Sequence, residues 1–209
     1  RGKGRVEDRR AAGSQPGRWP GCHDGAGCGA CCTHTGPCRP AWPHGGEGDD
    51  RISGDASNLE DQYHGNDIIF GDKGNDVIFG GGKDDVIHGG EGNDYIEGDN
   101  KNISGTIHGD DTINGDGGDD VILGNGGDDE IYGGDGDDLL NGDQLDNREI
   151  DGNDELYAGR GNDILNVFTG NDVLDGGEGH DLLFGGKGDD TFNSNHGNDQ
   201  LAGGDGDDI

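Results

Sequence analysis

The sequence predicts an all-β fold, a parallel β-roll that winds as a β-helix-like solenoid, and three observations support this prediction. From residue 45 to residue 209 the chain follows a nine-residue pattern, G-G-x-G-x-D-x-U-x, in which U is apolar. The sixth position is Asp in all sixteen units, and the eighth is apolar in all fifteen complete units. Most of the 49 glycines fall at positions one, two and four. Short repeats of this kind stack on their neighbours and bury one continuous core.

Each part of the nonapeptide has a predicted structural role. Glycines at positions one, two and four permit positive φ and close backbone approach, so the first six residues can form a tight turn. Asn or Asp at position five is expected because these residues tolerate left-handed backbone geometry. Positions seven to nine alternate about one apolar residue, which predicts a very short strand whose position-eight side chain points inward.

Three units carry an insertion after a Gly-Asp pair, and these units start 44 residues apart. The inserts are Ala56–His64, Asn100–His108 and Gln144–Asp151, in the second, sixth and tenth units. If two nonapeptides form one coil, alternate units share an edge of the roll, so all three inserts should lie on one edge, two coils apart. We expect His64 and His108, which close two inserts, to be solvent-facing loop residues; the alternative is a transition-metal or ligand site.

The composition is strongly acidic, with 46 Asp and Glu, 14 Lys and Arg, and a formal net charge of −32. Such a surface repels phosphate backbones and anionic lipids, which argues against nucleic-acid binding and suits cations. No apolar run is long enough to span a bilayer, and no signal-peptide pattern opens the chain. The chain contains no methionine and stops part-way through a repeat, so we expect it to be a fragment of a longer protein.

The composition changes sharply near residue 44. Residues 1–44 hold seven basic and three acidic residues, about +4, whereas residues 45–209 hold seven basic and 43 acidic residues, about −36. We predict two parts: a disordered or spurious segment at 1–44 and the repeat array at 45–209. A zinc knuckle in the first part is the alternative, although the five cysteines offer no second well-spaced pair. These cysteines are Cys22, Cys28, Cys31, Cys32 and Cys38.

The recurring Asp at position six predicts metal binding. Stacked coils place like carboxylates about 5–10 Å apart along each edge, and their repulsion would keep the array open. Ca²⁺ relieves this repulsion because it takes about six to eight oxygens, including backbone carbonyls, whereas Mg²⁺ demands a smaller octahedron. About a dozen ions would offset most of the charge of the repeats, and their binding energy would become folding energy. The candidate ligands are Asp50, Asp67, Asp76, Asp85, Asp94, Asp111, Asp120, Asp129, Asp138, Asp154, Asp163, Asp172, Asp181, Asp190, Asp199 and Asp208.

These repeats, for example G-G-E-G-N-D-Y-I-E at 89–97, resemble those of RTX, or haemolysin-type calcium-binding, proteins. The resemblance implies a right-handed parallel β-roll in which ions lie between neighbouring turns, held by position-six Asp side chains and turn carbonyls. It also implies a protein that a Gram-negative bacterium secretes by a type I route and that folds outside the cell.

Several residues depart from the repeat pattern, and the aromatic residues have more than one possible role. Lys83 replaces the position-four glycine, and residues 167–168 and 194–195 replace the opening Gly-Gly, so the turns beside them depart from the pattern that the ion sites require. Aromatic residues at positions seven and nine should point outward and cover the faces of the roll or pack on a neighbouring domain; a carbohydrate platform is the alternative. They are Phe70, Phe79, Tyr95, Tyr132, Tyr157 and Phe184.

No catalytic motif is present, so we expect a non-enzymatic, calcium-dependent folding module. One alternative is that the repeats are the accessory domain of a secreted protease, lipase or alginate epimerase, or of a pore-forming toxin. A third interpretation is part of an adhesin or surface layer with the inserts as its contact edge.

Overall fold

The computed structural model describes residues 43–55, 64–100, 108–143 and 152–209, and these residues form eighteen β-strands. The predicted disordered segment therefore lies outside the described residues, apart from residues 43 and 44, and so does most of each insert. The described part of the chain has no helix of the length and apolar character that a membrane crossing requires. The strands are β1 His44–Glu47, β2 Arg51–Ser53, β3 Ile68–Lys73, β4 Val77–Gly81, β5 Val86–Glu91, β6 Tyr95–Asp99, β7 Thr112–Gly117, β8 Val121–Asn125, β9 Glu130–Asp135, β10 Leu139–Asp143, β11 Glu155–Arg160, β12 Ile164–Asn166, β13 Val173–Asp175, β14 Glu178–Gly179, β15 Leu182–Lys187, β16 Thr191–Asn193, β17 His196–Gly197 and β18 Gln200–Asp205.

The strands form two parallel sheets that alternate along the chain, which confirms the predicted parallel β-roll. Sheet A has the order β1-β3-β5-β7-β9-β11-β13-β16, with the short strands β14 and β17 beside it. Sheet B has the order β2-β4-β6-β8-β10-β12-β15-β18. Apart from β14 and β17, which follow β13 and β16 in sheet A, successive strands belong to opposite sheets, and each coil of two nonapeptides adds one rung to each sheet.

Most strands are longer than the three residues that the sequence predicted. In β3, positions seven to nine of one repeat continue directly into positions one to three of the next, and its side chains alternate between outward and buried. The position-one glycine therefore faces inward, next to the position-eight residue of the same strand. Because the backbone at position one is also extended, each strand makes more hydrogen bonds with its parallel neighbours. A short strand has no such bonds when it is alone.

The core is one row of apolar side chains between the sheets. Position-eight residues from Ile52 to Leu183 are at most 1% exposed, as predicted, whereas Phe192 is partly buried and Leu201 is 47% exposed. Burying one such side chain contributes about 1.5–3 kcal/mol. Two position-one residues, Ala158 and Val167, join the row where most repeats have glycine.

The turns define two edges of the roll. We call edge 1 the row of turns that leads from sheet A to sheet B, and edge 2 the row that returns from sheet B to sheet A. Equivalent residues of adjacent coils are 18 residues apart where no insert intervenes, and 25 or 26 apart where one does. The described residues that flank the inserts all lie on edge 2, as predicted, two coils apart.

Left-handed backbone recurs at positions two and four of the turns. The departures from the repeat adopt it as well: φ is +72° at Lys83, +65° at Phe168 and +50° at Asn195. Such angles are unfavourable for residues with a Cβ, and unusual for a bulky one. The coil nevertheless continues through these turns, because their neighbours above and below hold the backbone in place.

The aromatic side chains of positions seven and nine point outward, as predicted, and those on sheet A stack along the roll axis. On sheet A the rings of Tyr132 and Tyr157 are stacked with centroids 5.1 Å apart. Phe70 is stacked between His44 and His88, at 4.7 and 5.2 Å. Within these stacks each ring covers one face of the next, whereas on sheet B the rings of Phe79 and Tyr95 are tilted by 54°.

Two adjacent glycines allow a test of the turn geometry. Gly118, at position four, has φ +131°, and a Cβ there would collide with the carbonyl oxygen of Gly92 in the preceding coil. Gly117 has no such constraint, since its Cβ would meet only the Asp135 carbonyl at 4.0 Å. We expect Gly118→Ala to lower the free energy of unfolding by about 1–3 kcal/mol and Gly117→Ala to leave it nearly unchanged. Thermal unfolding in saturating calcium measures both, and equal effects would contradict the described stacking.

Candidate metal sites

The sixteen position-six Asp residues form two continuous ladders, one on each edge. The backbone N–H of each Asp donates to Oδ1 of the Asp in the next coil; for example, the N–H of Asp94 donates to Asp120 Oδ1 at 2.7 Å. Every coil contributes one Asp to each ladder. The ladder on edge 1 is Asp50, Asp76, Asp94, Asp120, Asp138, Asp163, Asp181 and Asp199. The ladder on edge 2 is Asp67, Asp85, Asp111, Asp129, Asp154, Asp172, Asp190 and Asp208.

Most ladder carboxylates are buried, with one oxygen that has no hydrogen-bond donor. Thirteen of the sixteen are at most 3% exposed, and Asp50, Asp199 and Asp208 are half-buried. Oδ1 accepts the neighbouring N–H, while Oδ2 faces the position-one residue of its own repeat. A buried acceptor without a partner costs free energy, and a buried charge costs more. Oδ2 is buried without a hydrogen bond in Asp76, Asp85, Asp94, Asp111, Asp120, Asp129, Asp138, Asp163, Asp172, Asp181 and Asp190.

Burial raises the pKa of these carboxyls above the ordinary value of 3.8. On edge 1 the pKa rises to about 6 for Asp94 and Asp138, about 7 for Asp163 and about 8 for Asp120, because burial disfavours the charged form. On edge 2, burial and then neighbouring carboxylates raise the pKa to about 10 for Asp85 and well above its ordinary value for Asp111 and Asp129. Without a cation, the roll cannot hold all these groups ionised at neutral pH.

Backbone carbonyls supply further oxygens at the same edges. A Cβ on the position-four glycine of one coil would collide with the position-four carbonyl of the preceding coil, as at Gly92 over Gly74. A Cβ on Gly170 would likewise lie against the Gly152 carbonyl, and it would be 2.6 Å from Asp172 Oδ1. Carbonyl and carboxylate oxygens therefore converge at a turn that has no side chain to fill it, and hard cations prefer such oxygen sets.

The described residues contain no group of three or more His, Cys, Asp or Glu side chains that could hold a metal ion. The predicted Asp ligands are thus brought together as ladders rather than as clusters. An ion at either edge would draw a large share of its ligands from the backbone. This donor set fits Ca²⁺, which accepts many carbonyl oxygens, better than Zn²⁺, which takes four His, Cys or carboxylate ligands.

Position five has a role that the sequence interpretation missed. None of the described position-five residues has positive φ, so the expectation of left-handed geometry there is wrong. Instead, the position-five side chain accepts the N–H of the same position in the next coil: Asn75 Oδ1 accepts from Asn93, at 2.9 Å. This ladder runs opposite to that of position six. The signal was present in the sequence, because Asn and Asp share a short side-chain acceptor.

The side chains of His64 and His108 are buried, so the prediction of solvent-facing residues is wrong. His64 Nδ1 lies 2.9 Å from Asp55 Oδ2, and His108 Nδ1 lies 3.0 Å from Asp99 Oδ2. Both side chains of each pair are at most 3% exposed. The position-two Asp that opens the insert also accepts a backbone N–H where the insert returns, from Gly109 to Asp99 at 3.0 Å. Each pair therefore closes the base of an insert.

The pairs also add buried carboxylates to edge 2. The charge of Asp99 raises the pKa of Asp111, after the larger effect of burial, and Asp55 contributes in the same direction at Asp85. Sequence reasoning missed Asp55 and Asp99 because their partners lie nine residues away across an insert. The two edges therefore differ in buried charge, although they are built from the same repeat.

Asp120 and its neighbour Asp119 test the role of the position-six ladder. We expect Asp120→Asn to keep the hydrogen bond from Asp94 but to remove a buried charge. The calcium midpoint of folding should rise about three- to tenfold, whereas the metal-free roll should become more stable. The control Asp119→Asn, at exposed position five, should change neither value. Calcium titrations at pH 7.5 and metal-free unfolding at about pH 6, where the metal-free roll should still retain β-structure, measure both. A loss of stability in metal-free D120N would contradict the assignment.

The raised pKa values predict the pH dependence of the metal-free roll. Between about pH 4 and pH 8 the folded roll binds more protons than the unfolded chain, so its free energy of unfolding must fall as pH rises. We expect β-structure in metal-free buffer to be greatest near pH 4 and to be lost towards pH 8. Far-UV circular dichroism across this range measures it, and a β-signal that increases with pH would contradict the prediction.

Comparison with known proteins agrees with this geometry. The family profile described as RTX calcium-binding nonapeptide repeat (four copies) matches residues 44–58, 70–100, 109–140, 150–183 and 176–209. A search of curated proteins found no match to this chain. The matched ranges cover more than half of the chain and nearly all of the described roll. The chain therefore belongs to the RTX family of calcium-binding nonapeptide repeat proteins.

Proposed function

We propose that residues 45–209 are a calcium-dependent folding module of a secreted bacterial protein. The observation that supports this most directly is the pair of Asp ladders, in which eleven carboxylates have a buried oxygen without a hydrogen bond. The fold brings these charges together, and the described chain supplies few cations beside them. A bound divalent cation removes that cost, so ion binding and folding become one equilibrium.

The proposed ligands are the sixteen position-six Asp side chains together with position-four carbonyls of the turns. The position-six Oδ1 of a turn and the position-four carbonyl of the preceding coil lie on the same side of the position-four residue, as Asp172 Oδ1 and the Gly152 carbonyl do at Gly170. In this role each turn holds its oxygens in a fixed arrangement and excludes water from the inner side of the carboxylate. About a dozen ions would offset most of the −36 charge of the repeats.

Secretion fits the same chemistry. Calcium is scarce in the cytosol and abundant outside cells, so a chain of this kind would remain unfolded until export. Such repeats are typical of secreted bacterial proteins, and we propose a type I route for the whole protein. We also propose that the repeats themselves are not catalytic, because each buried carboxylate of the ladders already has a periodic structural role.

Far-UV circular dichroism of the full chain at pH 7.5, titrated with Ca²⁺ and separately with Mg²⁺, tests the proposal. We expect a cooperative transition from coil to β-structure with Ca²⁺, reversal by chelator, and little response to Mg²⁺, because the ladders offer many flexible oxygens rather than a small octahedron. Asp119→Asn serves as the folding control and should respond like the wild type. A chain that is already β-rich in chelator would exclude calcium as the trigger of folding.

A further inference from the structure

The outer faces of the two sheets differ in chemistry. On sheet A, positions seven and nine mix the apolar residues Ile68, Phe70, Val86 and Val173 with charged or polar ones such as Glu130, Glu155, Asp175 and His88. Glu130 and Glu155 accept hydrogen bonds from the Tyr132 and Tyr157 hydroxyls. On sheet B, six consecutive rungs carry large apolar residues, with Glu97 as the one charged residue, 9% exposed and bonded to Tyr95. We call these residues the apolar strip: Val77, Phe79, Tyr95, Val121, Leu123, Leu139, Ile164, Leu182 and Phe184.

The strip is not explained by the core of the roll. All nine side chains point away from the buried row, and they remain half-buried or exposed, up to 37% for Ile164 and 41% for Phe184. No described strand or turn packs over them. Contiguous apolar surface rimmed by polar residues marks an interaction site in soluble proteins. Here the rim is acidic, more strongly on edge 2 than on edge 1. Beside the six rungs, the exposed position-five carboxylates are Asp84, Asp110, Asp128 and Asp189 on edge 2, and Asp119 and Asp137 on edge 1.

The dimensions of the strip favour one shape of partner. Six strands about 4.8 Å apart, with positions seven and nine about 7 Å apart, give a straight strip of about 30 by 12 Å including side chains. An α-helix is about 10 Å wide, and about 20 residues of helix span 30 Å. A helix parallel to the roll axis would cover the strip, and basic residues on its flanks would reach the carboxylates of both edges.

A second copy of this chain fits less well. The strip offers on the order of 400 Å² per partner, about half of the 800 Å² that a stable interface buries on each side. Two identical copies would also bring two acidic rims together, and like charges at such distances repel. Both the area and the charge therefore point to a cationic partner.

We propose that the apolar strip of sheet B is the docking surface for an amphipathic α-helix with basic flanks. The helix places its apolar stripe on the strip and its Lys and Arg side chains against the acidic edges. This inference does not depend on how calcium triggers folding, since it concerns only the outer face of the folded roll.

The test uses the full chain in saturating calcium and a labelled synthetic peptide of about 20 residues, with Leu on one helical face and Lys and Arg beside it. The control peptide has the same composition with its Leu residues scattered, so it carries the same charge. By fluorescence anisotropy, we expect the striped peptide to bind at least about tenfold more tightly than the control, because only the striped helix covers the strip.

Matched variants locate the site. Leu139→Thr with Leu182→Thr alters position seven on sheet B and should remove about tenfold of the affinity for the striped peptide. Val86→Thr with Val173→Thr alters position seven on sheet A and should leave affinity within about twofold. Calcium-induced circular dichroism checks that each variant folds, and Ile164→Thr, at a more exposed site, replaces the sheet B pair if that pair does not.

Three results would overturn the proposal. Equal binding of both peptides would show that charge alone attracts them, and equal effects of the two variants would place the site elsewhere. Self-association of the wild type in sedimentation, abolished by the sheet B substitutions, would assign the strip to a second copy of the chain.

Discussion

The hydrogen bond from the backbone of one position-six Asp to the carboxylate of the next is the interaction on which the rest of the roll depends. It joins each coil to the following one on both edges, and it directs the second carboxylate oxygen inward, against a position-one residue that is usually glycine. Glycine is favoured there because the carboxylate occupies the space of a side chain. The same contact that aligns the coils therefore also creates the buried charge that requires a cation.

Much of this architecture could be predicted from the sequence because it depends on local periodicity. The apolar position eight gave the core, Asp at position six gave the ladders, and the spacing of the inserts placed them on one edge. The length of the strands could not be predicted, because extended backbone at position one becomes favourable only when a parallel neighbour is present. The role of position five was missed for a similar reason: Asn75 and Asn93 bond across 18 residues. His64 and His108 were misplaced because burial beside Asp55 and Asp99 depends on how an insert returns to the roll.

The repeat imposes strong constraints on inward positions and weak ones on outward positions. Positions one, six and eight pack against one another in nearly every coil, so their residue types vary little along the chain. Positions three, seven and nine face outward, and there the two sheets differ: sheet A mixes charged, polar and apolar residues, whereas sheet B carries the apolar strip. Edge 2 has diverged from edge 1 in the same way, by adding the Asp55–His64 and Asp99–His108 pairs. One fold thus presents four chemically different sides.

Coils of 18, 25 and 26 residues occupy the same rise along the roll, since the strands on either side keep one register. Axial length is therefore measured in coils and not in residues. A loop can gain or lose residues at the Gly-Asp pair without shifting any rung below it. Insertions at this point do not change the spacing of the Asp carboxylates. The chain can therefore acquire new surface on one edge while the arrangement of the position-six oxygens stays the same.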